Sequence, residues 1–282
     1  MRINYLLLIV LIYGLASCDD QPASIEEPID PPELPSFDGL SYDFGVLGEI
    51  EPTDSHVSTP EHDEVDAPEE LLKDVLAVLK HRVDGQLFDA LDRALSPSLE
   101  VSGEFENGVF IWEYDLQSEF YSGIDLYNPA MLQGAHTEED LIHWQLFIFG
   151  EQTETGEFLL VEAYSNADYT DSEWTIFDPE IDTENNRALE TDWYVDEDVV
   201  KQLNVTTAFD PETGEPKNYT WFLVEDGLMK IRFNRVIADQ IIQKIDAELS
   251  FDDGEGEMFY RLGAEQDTTS YCWDSDFDLV DC

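Results

Sequence analysis

The chain has 282 residues, with 65 Asp plus Glu against 13 Lys plus Arg and a formal net charge of −52. That balance excludes nucleic acid as a default partner, because phosphate contacts need Lys and Arg, and it excludes docking on anionic membranes through basic patches. It leaves a folded core open, since 43% of residues are hydrophobic and 12% aromatic.

The first 17 residues hold one charge, Arg2, and an apolar run from Leu6 to Tyr13 that is too short to span a bilayer. They read as a cleaved signal peptide. Leu15-Ala16-Ser17-Cys18 resembles the lipobox of bacterial lipoprotein signal peptides. That resemblance implies cleavage before Cys18 and acylation of Cys18, with several acyl chains giving a stable membrane anchor. An ordinary signal peptide with an incidental cysteine is the alternative. Asp19 and Asp20 resemble the surface-export signal of Bacteroidota-type lipoproteins, whereas in proteobacterial sorting Asp at the second position implies inner-membrane retention. The expected location is outside the cytoplasm, at the outer membrane or cell surface.

Residues 18–66 read as an acidic tether. Residues 19–66 carry 15 acids and no base, a composition that cannot bury enough apolar surface to offset its ordering entropy. The flexible-chain span is about 40 Å. Phe37, Leu40, Tyr42, Phe44, Val46, Leu47 and Ile50 are less tether-like and offer a patch that can dock on the domain or on a partner.

Residues 67–96 predict one or two amphipathic helices. Asp66 suits a cap, Pro68 a first turn, and Glu69 and Glu70 the positive end of the helix dipole. Leu72, Val75, Leu76, Leu79 and Val83 recur at helical spacing; Gly85 is expected to break the run. Leu87, Phe88, Leu91, Ala94 and Leu95 form a second stretch that stops before Pro97.

Residues 97–282 predict a mainly β domain: an antiparallel meander, barrel or sandwich of about 10–12 strands. The candidates are 108–117, 119–127, 141–149, 157–164, 172–178, 188–195, 201–209, 217–225, 228–234, 243–251, 256–262 and 269–273. Glu225-Asp226-Gly227 marks a tight hairpin, and only 235–243 leaves room for a crossover helix. Acids expected on both strand faces, such as Glu113 and Asp115 or Asp246 and Glu248, argue against a membrane-spanning barrel.

The six tryptophans fall at 112, 144, 174, 193, 221 and 273. Trp112-Glu113-Tyr114, Trp144-Gln145-Leu146 and Trp174-Thr175-Ile176 share a local form and suggest a degenerate repeat. Trp112, Trp144 and Trp174 are either core or an aromatic platform, exposed or lining a cavity, for a glycan or an apolar ligand. The arrangement, with Cys272-Trp273-Asp274 near the end, resembles a loose set of lipoproteins from Bacteroidota and related marine or halophilic bacteria. That resemblance brings no activity with it.

In an exported chain Cys272 and Cys282 are expected to pair, which requires a turn between Trp273 and Asp281. Asp274, Asp276 and Asp278 resemble the first half of a calcium loop but lack its glycine and its closing Glu. His136 and His143 are expected on one strand's opposite faces, which disfavours a shared zinc. No phosphate loop, nucleophile elbow, zinc-protease or dinucleotide motif is present, and none implies a cofactor. The leading expectation is therefore a lipid-anchored, non-enzymatic binding protein for a glycan, an apolar ligand or an envelope partner. The alternatives are a carboxylate-dependent glycan hydrolase and a purely structural surface protein.

The charge divides as −15 over the tether, −2 over 69–96 and −36 over the β region. An excess spread this widely fits adaptation to high salt, where counterions screen self-repulsion.

Overall fold

The computed structural model describes residues 31–35, 41–52, 67–120, 124–137, 140–149, 156–179, 186–197, 199–210, 213–237, 240–263 and 268–282. The predicted signal peptide, Cys18, Asp19, Asp20, Phe37, Leu40 and Asp66 lie outside them. No helix among the described residues is long and apolar enough to cross a membrane, which says nothing about crossing by strands.

The strands are β1 (Ser41–Tyr42), β2 (Glu104–Glu106), β3 (Val109–Phe120), β4 (Ile124–His136), β5 (Ile142–Phe149), β6 (Glu157–Ser165), β7 (Asp171–Phe177) and β8 (Arg187–Asp196). They continue as β9 (Val199–Phe209), β10 (Pro216–Glu225), β11 (Leu228–Ile237), β12 (Gln240–Ser250), β13 (Gly256–Leu262), β14 (Thr269–Trp273) and β15 (Leu279–Val280). From β2 to β15 each strand pairs with its sequence neighbours, so the sheet is one antiparallel meander. Of the three architectures expected, the meander is the one observed.

Turn chemistry sets the tight hairpins. Asn107 and Gly108 both have positive φ (52° and 89°), as do Asp226 and Gly227 (53° and 78°). Two positive-φ residues in a two-residue loop match the right-handed twist of the flanking strands. Two expectations fail. Strand 119–127 is in fact the β3–β4 hairpin, with β4 running on to His136. Pro129 and Gly134 disguise that strand: Pro129 lies one residue before the first pair with β5, so its missing N–H costs no ladder bond there. The crossover expected over 235–243 is instead a β11–β12 hairpin, paired from Leu228–Ser250 to Ile237–Gln240.

One face of the sheet is buried throughout. In β5 burial alternates strictly, with Ile142, Trp144, Leu146 and Ile148 inside. Glu113, Asp115, Asp246 and Glu248, expected on both faces, all sit on the outer one, because residues two apart share a face.

Two helices line the inner face, α1 (Pro68–Arg82) and α2 (Asp89–Leu95). Pro68 occupies the first turn beside Glu69 and Glu70, and Lys80, His81 and Arg82 fill the last turn, all favourable to the dipole. The cap residue is Ala67, with no side-chain cap bond. Gly85 does not break the run. A π-turn (Val83–Phe88) carries the chain from α1 into α2. Apolar residues four apart overshoot an α-helical face by about 40° per step. The wider turn takes up that drift, and Val83, Leu87, Leu91 and Leu95 all stay buried.

Strands β3 to β14 span about 55 Å if laid flat. By contrast α1, with 15 residues, is about 22 Å long and about 10 Å wide. Two such helices cannot cover that face, so the sheet curls over them and over itself. Inner-face residues from Phe110 to Trp273 accordingly belong to one continuous core with the helices.

The tether prediction needs correction. Within 18–66, residues 32–35 and 41–52 pack on the domain as a strap. Pro32 is buried, and Tyr169 donates to the Glu33 carbonyl (2.5 Å). Ser41 and Tyr42 pair in parallel with Val199 and Val200. Val46 N donates to the Phe251 carbonyl (3.1 Å). Phe44, Leu47 and Ile50 enter the core, at about 1.5–3 kcal/mol of burial each. That apolar burial, with the strap's hydrogen bonds to the domain, works against the ordering entropy.

Candidate functional site

Of the two readings of the three tryptophans, core and platform, the structure shows core. Trp112, Trp144 and Trp174 are 4%, 1% and 1% exposed, so an exposed platform at these positions is overturned. Trp112 and Trp144 centroids lie 6.1 Å apart; Trp174 stacks on Trp193 at 6.3 Å. Small residues make the room. Trp144 stands directly opposite Gly134, where a Cβ would come within 2.8 Å of the ring. Trp273 stands opposite Gly256 in the same way. Trp144 donates to Ser165 Oγ (3.2 Å), Trp193 to the Tyr169 carbonyl (2.9 Å) and Trp273 to the Gly254 carbonyl (2.7 Å).

The outer face carries a different row. Following the register outward from β5, His143 lies opposite Tyr164, then Glu173, Asp192, Asn204, Trp221, Arg232, Asp246 and Phe259 on successive strands to β13. Trp221 alone of the six tryptophans lies outside the buried core. Tyr164, Tyr194 and Phe259 are 40%, 47% and 45% exposed. Eight strand steps make this row about 38 Å long measured along the curved sheet.

Local contacts hold these side chains in place. His143 stacks on Tyr164 with centroids 4.4 Å apart and planes within 1°, and its Nε2 donates to Glu162 Oε1 (2.9 Å). Gln202 donates to Asp192 (2.9 Å). Arg232 lies over the Trp221 ring at 4.8 Å and donates to Asp246 (3.3 Å). Aromatic rings and hydrogen-bond acceptors therefore share one row across the strands, with Asp192 and Asp246 held by hydrogen bonds.

The sequence concealed Trp221 because 219–224 reads Tyr-Thr-Trp-Phe-Leu-Val, apolar on both faces. Alternation cannot decide there which parity faces in. The inward Thr220 and Phe222 reveal it only through their strand partners.

His136 ends β4, not the strand of His143, and pairs with Ile142. Cys272 and Cys282 are disulfide-bonded, with Cα atoms 5.1 Å apart across the β14–β15 hairpin. Asp274 has a local structural role: its Oδ1 accepts the backbone N–H groups of Asp276 (3.0 Å) and Asp278 (3.2 Å). Among the described residues no group of three or more His, Cys, Asp or Glu is placed to hold a metal ion. Family models, curated proteins and solved structures yield no match to this chain.

One carboxyl inside the fold is perturbed. Burial pushes Asp84, in the π-turn, above its ordinary value; the bond from Tyr42 Oη (2.8 Å) and the charge of Lys80 pull the other way. Burial, and then Asp84, raises the Tyr42 hydroxyl. This pair ties the strap to the helices.

Proposed function

We propose that the chain is a lipid-anchored, non-enzymatic surface protein that binds an extended, uncharged glycan across the outer face of its sheet. The observation carrying this reading is the row from His143 to Phe259, in which the rings of Tyr164, Trp221 and Phe259 flank the acceptors Glu173, Asp192 and Asn204 on one side and Arg232 and Asp246 on the other. Aromatic faces suit the C–H faces of sugar rings, and carboxylate and amide oxygens suit hydroxyl donors. A track about 38 Å long suits a linear polymer better than a single sugar. The acid excess, −36 over the β region, repels anionic polysaccharides. The lipobox at Cys18 supports the anchor, at the outer membrane or cell surface.

Affinity electrophoresis of the full chain through neutral glucan or xylan, with alginate as the anionic control, tests the reading. Retardation by a neutral polymer is expected, with W221A weakening it at least tenfold and leaving the far-ultraviolet dichroism unchanged. No retardation by any neutral polymer, or W221A binding like wild type, sinks the proposal.

A further inference from the structure

Bases are scarce in this chain, 13 against 65 acids, and four on the strands are matched: Arg187 with Glu190, Lys217 with Asp210, Lys230 with Glu248 and Arg232 with Asp246. Lys244 and Arg261 are not. Neither forms an ion pair among the described residues, yet they lie directly opposite one another on β12 and β13. Like charges placed so destabilise a ladder. Asp246, two residues along from Lys244, is already held by Arg232. With five acids to each base, a cation pair left open is the exception.

Both side chains are on the outer face. Their strand neighbours Ile245 and Tyr260 are buried, and successive residues face opposite ways. Lys244 is exposed and Arg261 part-exposed. Of the Arg261 guanidinium nitrogens, only Nε is enclosed without a partner, so the outer nitrogens are the ones placed to meet a ligand. The planar fork of an Arg matches the two oxygens of a carboxylate, and the Lys adds a point charge beside it.

Position narrows the ligand. Phe259, the end of the aromatic row, is two residues from Arg261 on β13, and Asp246 is two from Lys244 on β12. The cations therefore sit about 7 Å to one side of the row, an offset comparable to one sugar ring. A polymer backbone lying on the row passes beside them; a branch reaches them.

We propose that Lys244 and Arg261 bind the carboxylate of a single uronic acid branch carried by the glycan on the row. This inference rests on the glycan reading and sharpens it to a neutral backbone with sparse acidic branches. The net negative field still turns away a polymer charged on every sugar, whereas a lone carboxylate meets two cations at close range.

Glucan and xylan oligosaccharides, each with and without one glucuronic acid branch, are titrated calorimetrically into the full chain. The branched form of whichever backbone binds is expected to bind at least fivefold tighter. K244E and R261Q should abolish that preference and leave the unbranched oligosaccharide unchanged. A branched form bound no tighter than the unbranched one overturns the proposal while the glycan reading stands. A preference that survives in both variants overturns it equally. No binding of any oligosaccharide sinks the glycan reading and this inference together. Should R261Q not fold, K244E, at an exposed position, decides alone.

Discussion

Replacing Gly256 with Ala probes how closely the strands are fitted to their tryptophans. A Cβ at this position would meet Glu248 O at 2.6 Å, Trp273 Cζ2 at 2.7 Å and Leu249 Cβ at 2.8 Å. None can withdraw cheaply: the first is backbone, the third is fixed to β12, and the indole is held by its bond to the Gly254 carbonyl (2.7 Å). Overpacking costs about 1–3 kcal/mol, and three contacts this short place G256A near the top, about 3 kcal/mol. In a domain of this size each kcal/mol moves Tm by about 2–4 °C, so a fall of about 6–12 °C is expected. Urea and thermal unfolding of G256A, W273L and the double variant close a cycle. Removing the ring removes one of the three obstructions, so G256A should cost at least about 1 kcal/mol less in the W273L background. A G256A protein within about 0.5 kcal/mol of wild type, or an additive cycle, refutes the claim that Gly256 exists to admit Trp273.

Asp84 has a folded pKa raised by burial. Its contribution is therefore fully present below its unfolded pKa and is lost as pH rises through the folded one. Ionising the buried carboxyl carries a cost that Asn escapes, and Asn Oδ1 can still accept from Tyr42. D84N should be more stable than wild type at pH 7, with the gap closing towards about pH 3; a gap that ignores pH would be evidence against this. With a net charge of −52, Tm should rise with sodium chloride up to molar concentration, as the screening length shrinks to about 3 Å. A flat or falling curve removes the salt-adaptation reading. Cys272 and Cys282 should be unreactive to thiol reagent in denatured, unreduced protein. Replacing both with Ser should cost at most about 3 kcal/mol, with faster amide exchange confined to β14 and β15; general loss of protection would contradict that.

Much of the fold was legible because hairpin signals and period-two alternation are local. Strands 256–262 and 269–273 were read to the residue. β4 was not, since Pro129 and Gly134 look like loop until the partners are known: one sits beyond the β5 ladder, the other clears space for Trp144. β1, β2 and β15 are two or three residues long, too short for any periodic signal. The strap was half legible. Its apolar residues stood out, but docking depends on a slot beside β9 that no local pattern encodes. The candidate binding row was least legible. Trp112, Trp144 and Trp174 drew attention by repetition, which proved to be a core rhythm, whereas Trp221 sits where both strand faces are apolar.

The parallel strap pairing bears on the order of assembly. Hairpins from β2 onward join sequence neighbours and can zip one after another at low loop-closure cost. Ser41, by contrast, pairs with Val199, a separation of 158 residues, so the segment synthesised early must wait until β9 exists. During that interval Phe44, Leu47 and Ile50, buried in the finished domain, have no native partner. Until β9 exists this stretch is unsheltered and available to a chaperone, a protease or another unfinished chain.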